Sequence, residues 1–254
     1  RPSPPELLDW LASEFMDGGW RLKRLHKLIM TSRTYRQSSA RNTEAQQIDQ
    51  DNRQLWRMPV RRLEAESVRD AILAVSGSLN PNLAGEPVAV AANAGGIIAV
   101  GGGKVSPNGA ELKRSLYVQV RRTQPVAMLQ SFDAPQMEPN CARRVSSTVA
   151  TQSLAMLNSD FIIQQSAAFA DRVWNEVRSR RVPDNESLIA HAWKAAFSSG
   201  LPKDQASALL GFFDQQEAHF KTTMKSKGPD AARKKALATL CQVLLASNEF
   251  LYVD

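Results

Sequence analysis

The stretch RRLEAESVRDAILAVSG, residues 61–77, combines six charged side chains with the periodicity of a packed helix. At about 100° per residue, the apolar stripe through Val68 lies opposite a stripe that holds Glu66 and Asp70. We therefore predict a third helix over about 60–79, with charges interleaved among apolar residues on both sides. Two helices precede it in the sequence, and they are separated by Gly18 and Gly19.

The segments that follow indicate the fold class. Residues 86–105 contain short β-like runs, which indicate either a strand pair or a mobile flap. LYVQV, residues 116–120, alternates apolar and polar side chains, and it predicts a strand around 116–122. Helical spacing dominates from there to the end, including a long helix over 160–178. The sequence thus predicts a mostly α, multi-helix domain with a small β element.

We predict one α-rich domain over 1–254. Within it, 1–79 forms a helical lead, 80–122 a Gly-rich insertion with the β element, and 123–254 a helical C-terminal part. The opening RPSPPELL lacks the basic, apolar and small-residue regions of a signal peptide. We interpret it as a cut through a longer protein, so the domain is expected to be N-terminally truncated.

Charge and composition limit the partners. The net charge of +7 and the pI near 9.6 suit an anionic partner such as a polysaccharide. The basic residues come mostly in dispersed pairs, so we do not expect a nucleic-acid groove. No apolar run is long enough to predict a transmembrane segment.

Motifs for metals, haem and phosphate are absent from the sequence. The histidines and cysteines lack metal-ligand spacing, no CxxCH motif for c-type haem occurs, and GGGK at 101–104 lacks the remainder of a phosphate loop. We predict no metal and no cofactor in this chain. Cys241 shares a stripe with leucines, which favours a buried thiol, and a disulfide with Cys141 is the alternative.

Glu66 and Asp70 are the main candidates for chemistry. Lying four residues apart on a helix, they repel each other and require cations nearby, which Arg62, Arg69 and Arg122 can supply. One interpretation is an ion-pair network that ties the helix to the strand. The other is a cleft in which Glu66 or Asp70 acts with Tyr117 beside Arg121 on a polar substrate such as a sugar.

A second polar cluster lies at 140–152. Ser147 or Thr148 can cap the helix predicted over 148–157. Alternatively, Arg143 and Arg144 form an anion pocket with the N-terminus of that helix.

Four separated blocks carry a family resemblance. They are PPELLDWLASEFMDGGWRLKRLHKLIMTSRTYRQSS, DNRQLWRMPVRRLEAESVRDAILAVSG, CARRVSSTVATQSLAMLN and LCQVLLASNEFLYVD. Together they resemble the planctomycete domain of unknown function number fifteen fifty-three, the C-terminal domain of large exported proteins that often carry a cytochrome c domain. The resemblance covers nearly the whole chain.

The resemblance implies a setting but no reaction. It implies an extracytoplasmic location, a multidomain parent whose other domains are partners, and haem in a separate domain of that parent. We expect an uncharacterised module with a role in glycan handling or envelope electron transfer. A hydrolase-like or sugar-binding domain that uses the Glu, Asp, Arg and Tyr cluster is one alternative, and a polyanion-binding module is another.

Overall fold

Most of the chain is helical in the computed structural model, which describes residues 4–83, 85–135, 144, 147–179, 182–223 and 230–253. The chain divides into two units, Arg1–Arg61 with Tyr252–Asp254 and Arg62–Leu251. The predicted fold class, mostly α with a small β element, is confirmed. The finer division at 79 and 122 stays a prediction.

The helices have the following bounds. The first unit contains α1 (Pro5–Asp17), α2 (Leu22–Thr31) and α3 (Thr43–Ile48). The second contains α4 (Ala65–Ser76), α5 (Ala127–Ser131), α6 (Ala150–Asn158), α7 (Asp160–Arg178), α8 (Asn185–Phe197), α9 (Lys203–Thr223), α10 (Ala231–Leu245) and α11 (Asn248–Leu251). The strands are β1 (Arg61–Arg62), β2 (Val90–Ala92), β3 (Ile98–Val100) and β4 (Tyr252–Val253), and β2 pairs with β3.

A glycine turn joins α1 to α2 in the first unit, as the sequence predicted. Gly19 takes a positive φ of 72°, and Trp20 follows it at 59°. The backbone N–H of Trp20 donates to the carbonyl of Phe15 over 2.9 Å, and the two rings stack edge to face. An ion pair between Arg24 and Glu14 then connects the two helices.

Helices α7 and α10 form the centre of the second unit. Phe169 and Val173 of α7 and Leu240 and Cys241 of α10 have no exposed surface. Each buried side chain of this size contributes about 1.5–3 kcal/mol to folding. The long helix predicted over 160–178 is confirmed with the same bounds.

Cys241 is a free and fully buried thiol, as its helical stripe predicted. Burial raises the pKa of this thiol because the thiolate loses its solvation. Cys141, the other member of the alternative disulfide, lies outside the described residues.

Three polar side chains link α4 to α7 and α8. Arg172 of α7 donates to the carbonyl of Val75 over 2.8 Å at the end of α4. Its Nε also donates to Glu176 over 2.8 Å, and the other oxygen of Glu176 lies 2.6 Å from Nε2 of His191. The last carbonyls of α4 therefore obtain a donor from a neighbouring helix.

The strand pair predicted within 86–105 is confirmed. β2 and β3 are antiparallel, with Val90 opposite Val100. Asn93 shapes the connecting turn, because its side-chain oxygen accepts the N–H groups of Gly95 and Ile97.

The strand predicted around 116–122 is wrong. Ser115–Tyr117 forms a single 3₁₀ turn, and Val118 makes only an isolated parallel bridge to Val88. The alternation places Leu116 and Val120 on the same strand face as the buried Val118, yet they are 78% and 69% exposed. The alternating pattern does not build a strand here because only one residue of the segment has a ladder partner.

The third helix is shorter than the predicted 60–79. Arg61 and Arg62 are extended in β1, and Glu64 is the extended N-cap residue that precedes Ala65. At the other end, Gly77 adopts the left-handed conformation with φ 76° and stops the helix. The charged residues at 61–64 thus belong to the approach to the helix.

We expect Gly77→Ala to destabilise the protein by about 1–2 kcal/mol, because a side chain disfavours the left-handed conformation. Its Cβ would also lie 3.1 Å from Cδ of Arg172. Thermal unfolding should show a midpoint lower by roughly 2–8 °C. Gly211→Ala is the matched control, because Gly211 lies inside α9 with open space around it, and this change should leave the midpoint unchanged or raise it. Equal effects of the two changes would contradict the role of Gly77.

Candidate functional site

Glu66 lies on the first turn of α4 and is held by Arg144. The guanidinium donates to both carboxylate oxygens, over 2.6 and 3.1 Å, and Nη1 also lies 3.1 Å from Glu64. Burial by itself raises the pKa of Glu66, but the hydrogen bonds and the charge of Arg144 outweigh it and lower the pKa. Glu66 is therefore a stable carboxylate anion at neutral pH.

Asp70, one turn further along α4, binds a loop. Its Oδ1 accepts the backbone N–H and the hydroxyl of Ser115, each over 2.7 Å. Its Oδ2 lies 3.4 Å from Nε of Arg114. These bonds fix the 3₁₀ turn that replaces the predicted strand.

Arg69 is buried beside Asp70, with 2% of its surface exposed. Its guanidinium donates to the carbonyls of Glu111 over 2.6 Å and Lys113 over 2.9 Å. The ring of Phe161 lies below it, with the centroid 5.7 Å away. Burial lowers the pKa of Arg69 to about 10, with Asp70 opposing the shift, so the side chain remains charged at neutral pH.

Arg62 takes part in a separate buried pair. Its Nη2 donates to Asp133 over 2.7 Å and to the carbonyl of Phe132 over 3.2 Å. Ser147 donates its N–H to Asp133 over 2.7 Å and its hydroxyl over 2.8 Å. Burial raises the pKa of Asp133, but the bonds from Ser147 and Arg62 outweigh it, and the net shift is downward.

The other predicted site residues lie apart from these carboxylates. Tyr117 is half-buried and packs against the apolar cluster of Val88, Val90, Val118 and Val126. Arg121 is exposed and donates to the side chains of Gln119 and Gln124. Within the described part of the chain, no hydrogen bond or ion pair joins Tyr117 or Arg121 to Glu66 or Asp70. The predicted cleft is therefore not assembled by direct polar contacts.

Arg122 and Thr148 are exposed, and Arg143 lies outside the described residues. The capping role predicted for Ser147 or Thr148 is wrong, because α6 begins only at Ala150 and its N-cap residue is Val149. The hydroxyl of Ser147 is instead bonded to Asp133.

The sequence interpretation missed a second charged cluster, between α8, α9 and α10. Glu217 is 5% exposed, lies 2.7 Å from Nζ of Lys221 and 3.5 Å from Nε of Arg233, and accepts from Asn185 over 3.2 Å. An open groove of about 460 Å³ runs beside it and is lined by Pro183, Asp184, Asn185, Glu186, Leu210, Asp214 and Arg233. The spacing of Glu217 and Lys221 at i and i+4 was the available signal, but it does not reveal burial.

The described residues contain no group of three or more His, Cys, Asp or Glu side chains placed to hold a metal ion. Among the same residues, no helix is long and apolar enough to cross a membrane.

The structure is thus a mostly helical module. Its ion pairs, such as Glu66 with Arg144 and Asp133 with Arg62, connect helix and loop residues that are distant in the sequence. The family described as "PSD1: Protein of unknown function (DUF1553)" matches residues 1–213, and the chain belongs to this family. The family predicted from the four sequence blocks is thereby confirmed, although the last block lies beyond the matched residues. No curated protein and no solved structure matches the chain.

We expect Asp133→Asn to destabilise the protein by about 3–5 kcal/mol, because it leaves the buried charge of Arg62 without its anion. Only 5% of the Arg62 side chain is exposed. Chemical denaturation of the purified chain measures the loss. Replacing both members, with Arg62→Leu and Asp133→Asn together, should recover part of the stability. If the two changes are simply additive, the pair does not act as a unit.

Acid should unfold the protein through its bonded carboxylates. The pKa values of Glu66, Asp133 and Glu217 are lowered in the folded chain; for Glu217, burial opposes bonds from Lys221 and Asn185. The unfolded chain then binds more protons near its ordinary carboxyl pKa of about 4. The stabilisation is complete above that pH and is lost as the pH falls through the lower folded values. Melting curves from pH 7 to about pH 3 should show this loss, with a shallower slope for Asp133→Asn.

Proposed function

We propose that this chain is a non-catalytic structural module of an exported multidomain protein. The observation that carries the proposal is that all three carboxylates of residues 61–70 are bound by protein groups. Glu64 and Glu66 share Arg144, and Asp70 takes Ser115 with Arg114. These contacts support a structural role for the cluster, in which it binds loop residues to α4.

The electrostatics support the same role. A general acid or base works best when its pKa lies near the operating pH, and enzymes raise carboxyl pKa values to reach it. The pKa of Glu66 is shifted the other way, and Arg69 keeps its charge. Both groups are held in the ionised form that makes the strongest hydrogen bonds.

The setting of the module is part of the proposal and rests on the family resemblance. We place the parent protein outside the cytoplasm, in the cell envelope, with any haem in a separate cytochrome c domain. We assign glycan handling or electron transfer to that parent and a scaffolding role to this chain. The enzyme and polyanion alternatives stay predictions.

The test is the thermal stability of Glu66→Gln and Asp70→Asn. The side chains of Glu66 and Asp70 are 32% and 19% exposed, so removing either charge should cost about 1.5–3 kcal/mol, the contribution of hydrogen bonds to a charged group, which corresponds to a drop of roughly 3–12 °C in a chain of this size. We expect a clear drop for both variants, and a larger one for Asp70→Asn because Ser115 then loses a charged acceptor and Arg69 loses the anion that lies 3.7 Å from it. Differential scanning calorimetry measures both.

Asp171→Asn supplies the control, because Asp171 is an exposed acid of α7. This change should move the midpoint little, since isolated surface charges contribute about 0–1 kcal/mol. If Glu66→Gln or Asp70→Asn instead leaves the midpoint unchanged or raises it, the carboxylate is kept at a cost to stability. The structural role would then be wrong, and the enzyme alternative would be favoured.

A further inference from the structure

The turn between α1 and α2 exposes large apolar side chains beside cations. Trp20 is 66% exposed and Leu22 is 60% exposed. Arg21 and Lys23 alternate with them along the chain and are exposed as well. The turn thus presents an aromatic and an aliphatic side chain surrounded by positive charge.

The same part of the chain carries no acidic residue. Between Asp17 and Glu44 the basic residues are Arg21, Lys23, Arg24, Lys27, Arg33, Arg36 and Arg41. Arg24 pairs with Glu14, whereas Lys23 and Lys27 have no ion-pair partner among the described residues. The half-buried Leu25, Leu28 and Ile29 form the opposite side of α2. Helix α2 is therefore amphipathic, with a basic outer face.

The backbone holds the exposed tryptophan in an uncommon conformation. Trp20 has a φ of 59°, a region that bulky L-residues rarely occupy. Its contact with Phe15 and the hydrogen bond to the Phe15 carbonyl keep it there. Backbone strain of this kind clusters at functional sites, where the surrounding structure keeps it in place.

We propose that this turn, residues 18–23 with the basic face of α2, docks on an anionic lipid surface. Tryptophan favours the boundary between water and hydrocarbon, where its ring is buried and its N–H remains near polar groups. Lysine and arginine beside it bind anionic headgroups. A basic helix with bulky apolar residues on its flank lies in this interface without crossing the bilayer.

Charge distribution favours lipid over a protein partner. The centre of a protein interface is depleted of charged residues, and a specific interface buries about 800 Å² on each partner. Here Arg21 and Lys23 interrupt the apolar surface at every second position. A soluble polyanion would satisfy the cations but would leave Trp20 and Leu22 in water. This inference adds an attachment surface to the structural module and does not depend on the role of Glu66 or Asp70.

Co-sedimentation of the 254-residue chain with lipid vesicles tests the proposal. We expect binding to vesicles of phosphatidylcholine mixed with phosphatidylglycerol, and little binding to pure phosphatidylcholine. Added salt should weaken the binding because it screens the headgroup charges. Binding to neither vesicle, or equal binding to both, would overturn the proposal.

Charge and aromatic variants separate the two contributions. Lys23→Gln with Lys27→Gln should lower the affinity for anionic vesicles roughly 30-fold, and Trp20→Ala roughly tenfold. Trp10→Ala is the matched control: Trp10 is 53% exposed on α1, outside the acid-free segment, and its loss should leave binding unchanged. If Trp10→Ala weakens binding as much as Trp20→Ala does, the assignment to this turn is wrong.

Fluorescence quenching addresses folding and the polyanion alternative. Vesicles with brominated acyl chains should quench the wild type more than Trp20→Phe, a change that retains an aromatic ring against Phe15. Circular dichroism checks that each variant is folded.

Quenching that is identical in the two proteins would overturn the proposal. So would binding to heparin as tight as to anionic vesicles with no effect of Trp20→Ala, since that result identifies a soluble polyanion as the ligand.

Discussion

The buried guanidinium of Arg69 is the interaction on which the arrangement around α4 depends. Its guanidinium donates to the carbonyls of Glu111 and Lys113. Asp70 supplies the compensating charge from the adjacent position and binds Ser115 at the same time. Because removing a buried charge from its partners is expensive, the loop over 111–115 is fixed to the helix rather than to a β-sheet.

Two further carboxylates, Glu66 and Asp133, are likewise held by protein groups. Against the opposing effect of burial, the pKa of Glu66 is lowered chiefly by Arg144, and the pKa of Asp133 by Ser147 and then by Arg62. Both carboxylates therefore accept hydrogen bonds from protein donors as anions at neutral pH. The arginines are likewise occupied, apart from the part of the Arg62 guanidinium whose Nε and Nη1 are buried without a partner among the described residues. The charged residues of 61–70 that the structure describes in contact with one another therefore link α4 to neighbouring loops.

Local patterns in the sequence were enough to predict the helices, but they did not predict which distant residues bind the side chains on those helices. The apolar spacing in 160–178 predicts α7 because helix periodicity is a property of neighbouring residues. Arg144 and Ser115 meet Glu66 and Asp70 across 78 and 45 positions of chain, a relation that no local spacing encodes. The strand predicted around 116–122 failed for the same reason, since a strand requires a ladder partner and only Val118 has one. Glu217 illustrates both situations. Its ion pair with Lys221 could be predicted from their i, i+4 spacing, whereas its burial could not.

The guanidinium of Arg172 finally has a consequence for motion. Arg172 lies on α7 and donates a hydrogen bond to a carbonyl at the end of α4. The same guanidinium binds Glu176, whose other carboxylate oxygen contacts His191 of α8. The last turn of a helix usually frays alone, because its carbonyls have only water as partners. In this chain, fraying of α4 requires release of Arg172, a side chain of α7 that Glu176 also binds, while Glu176 in turn contacts His191 of α8. Amide hydrogens at the end of α4 should therefore exchange with solvent together with those of α7 and α8, as one cooperative unit.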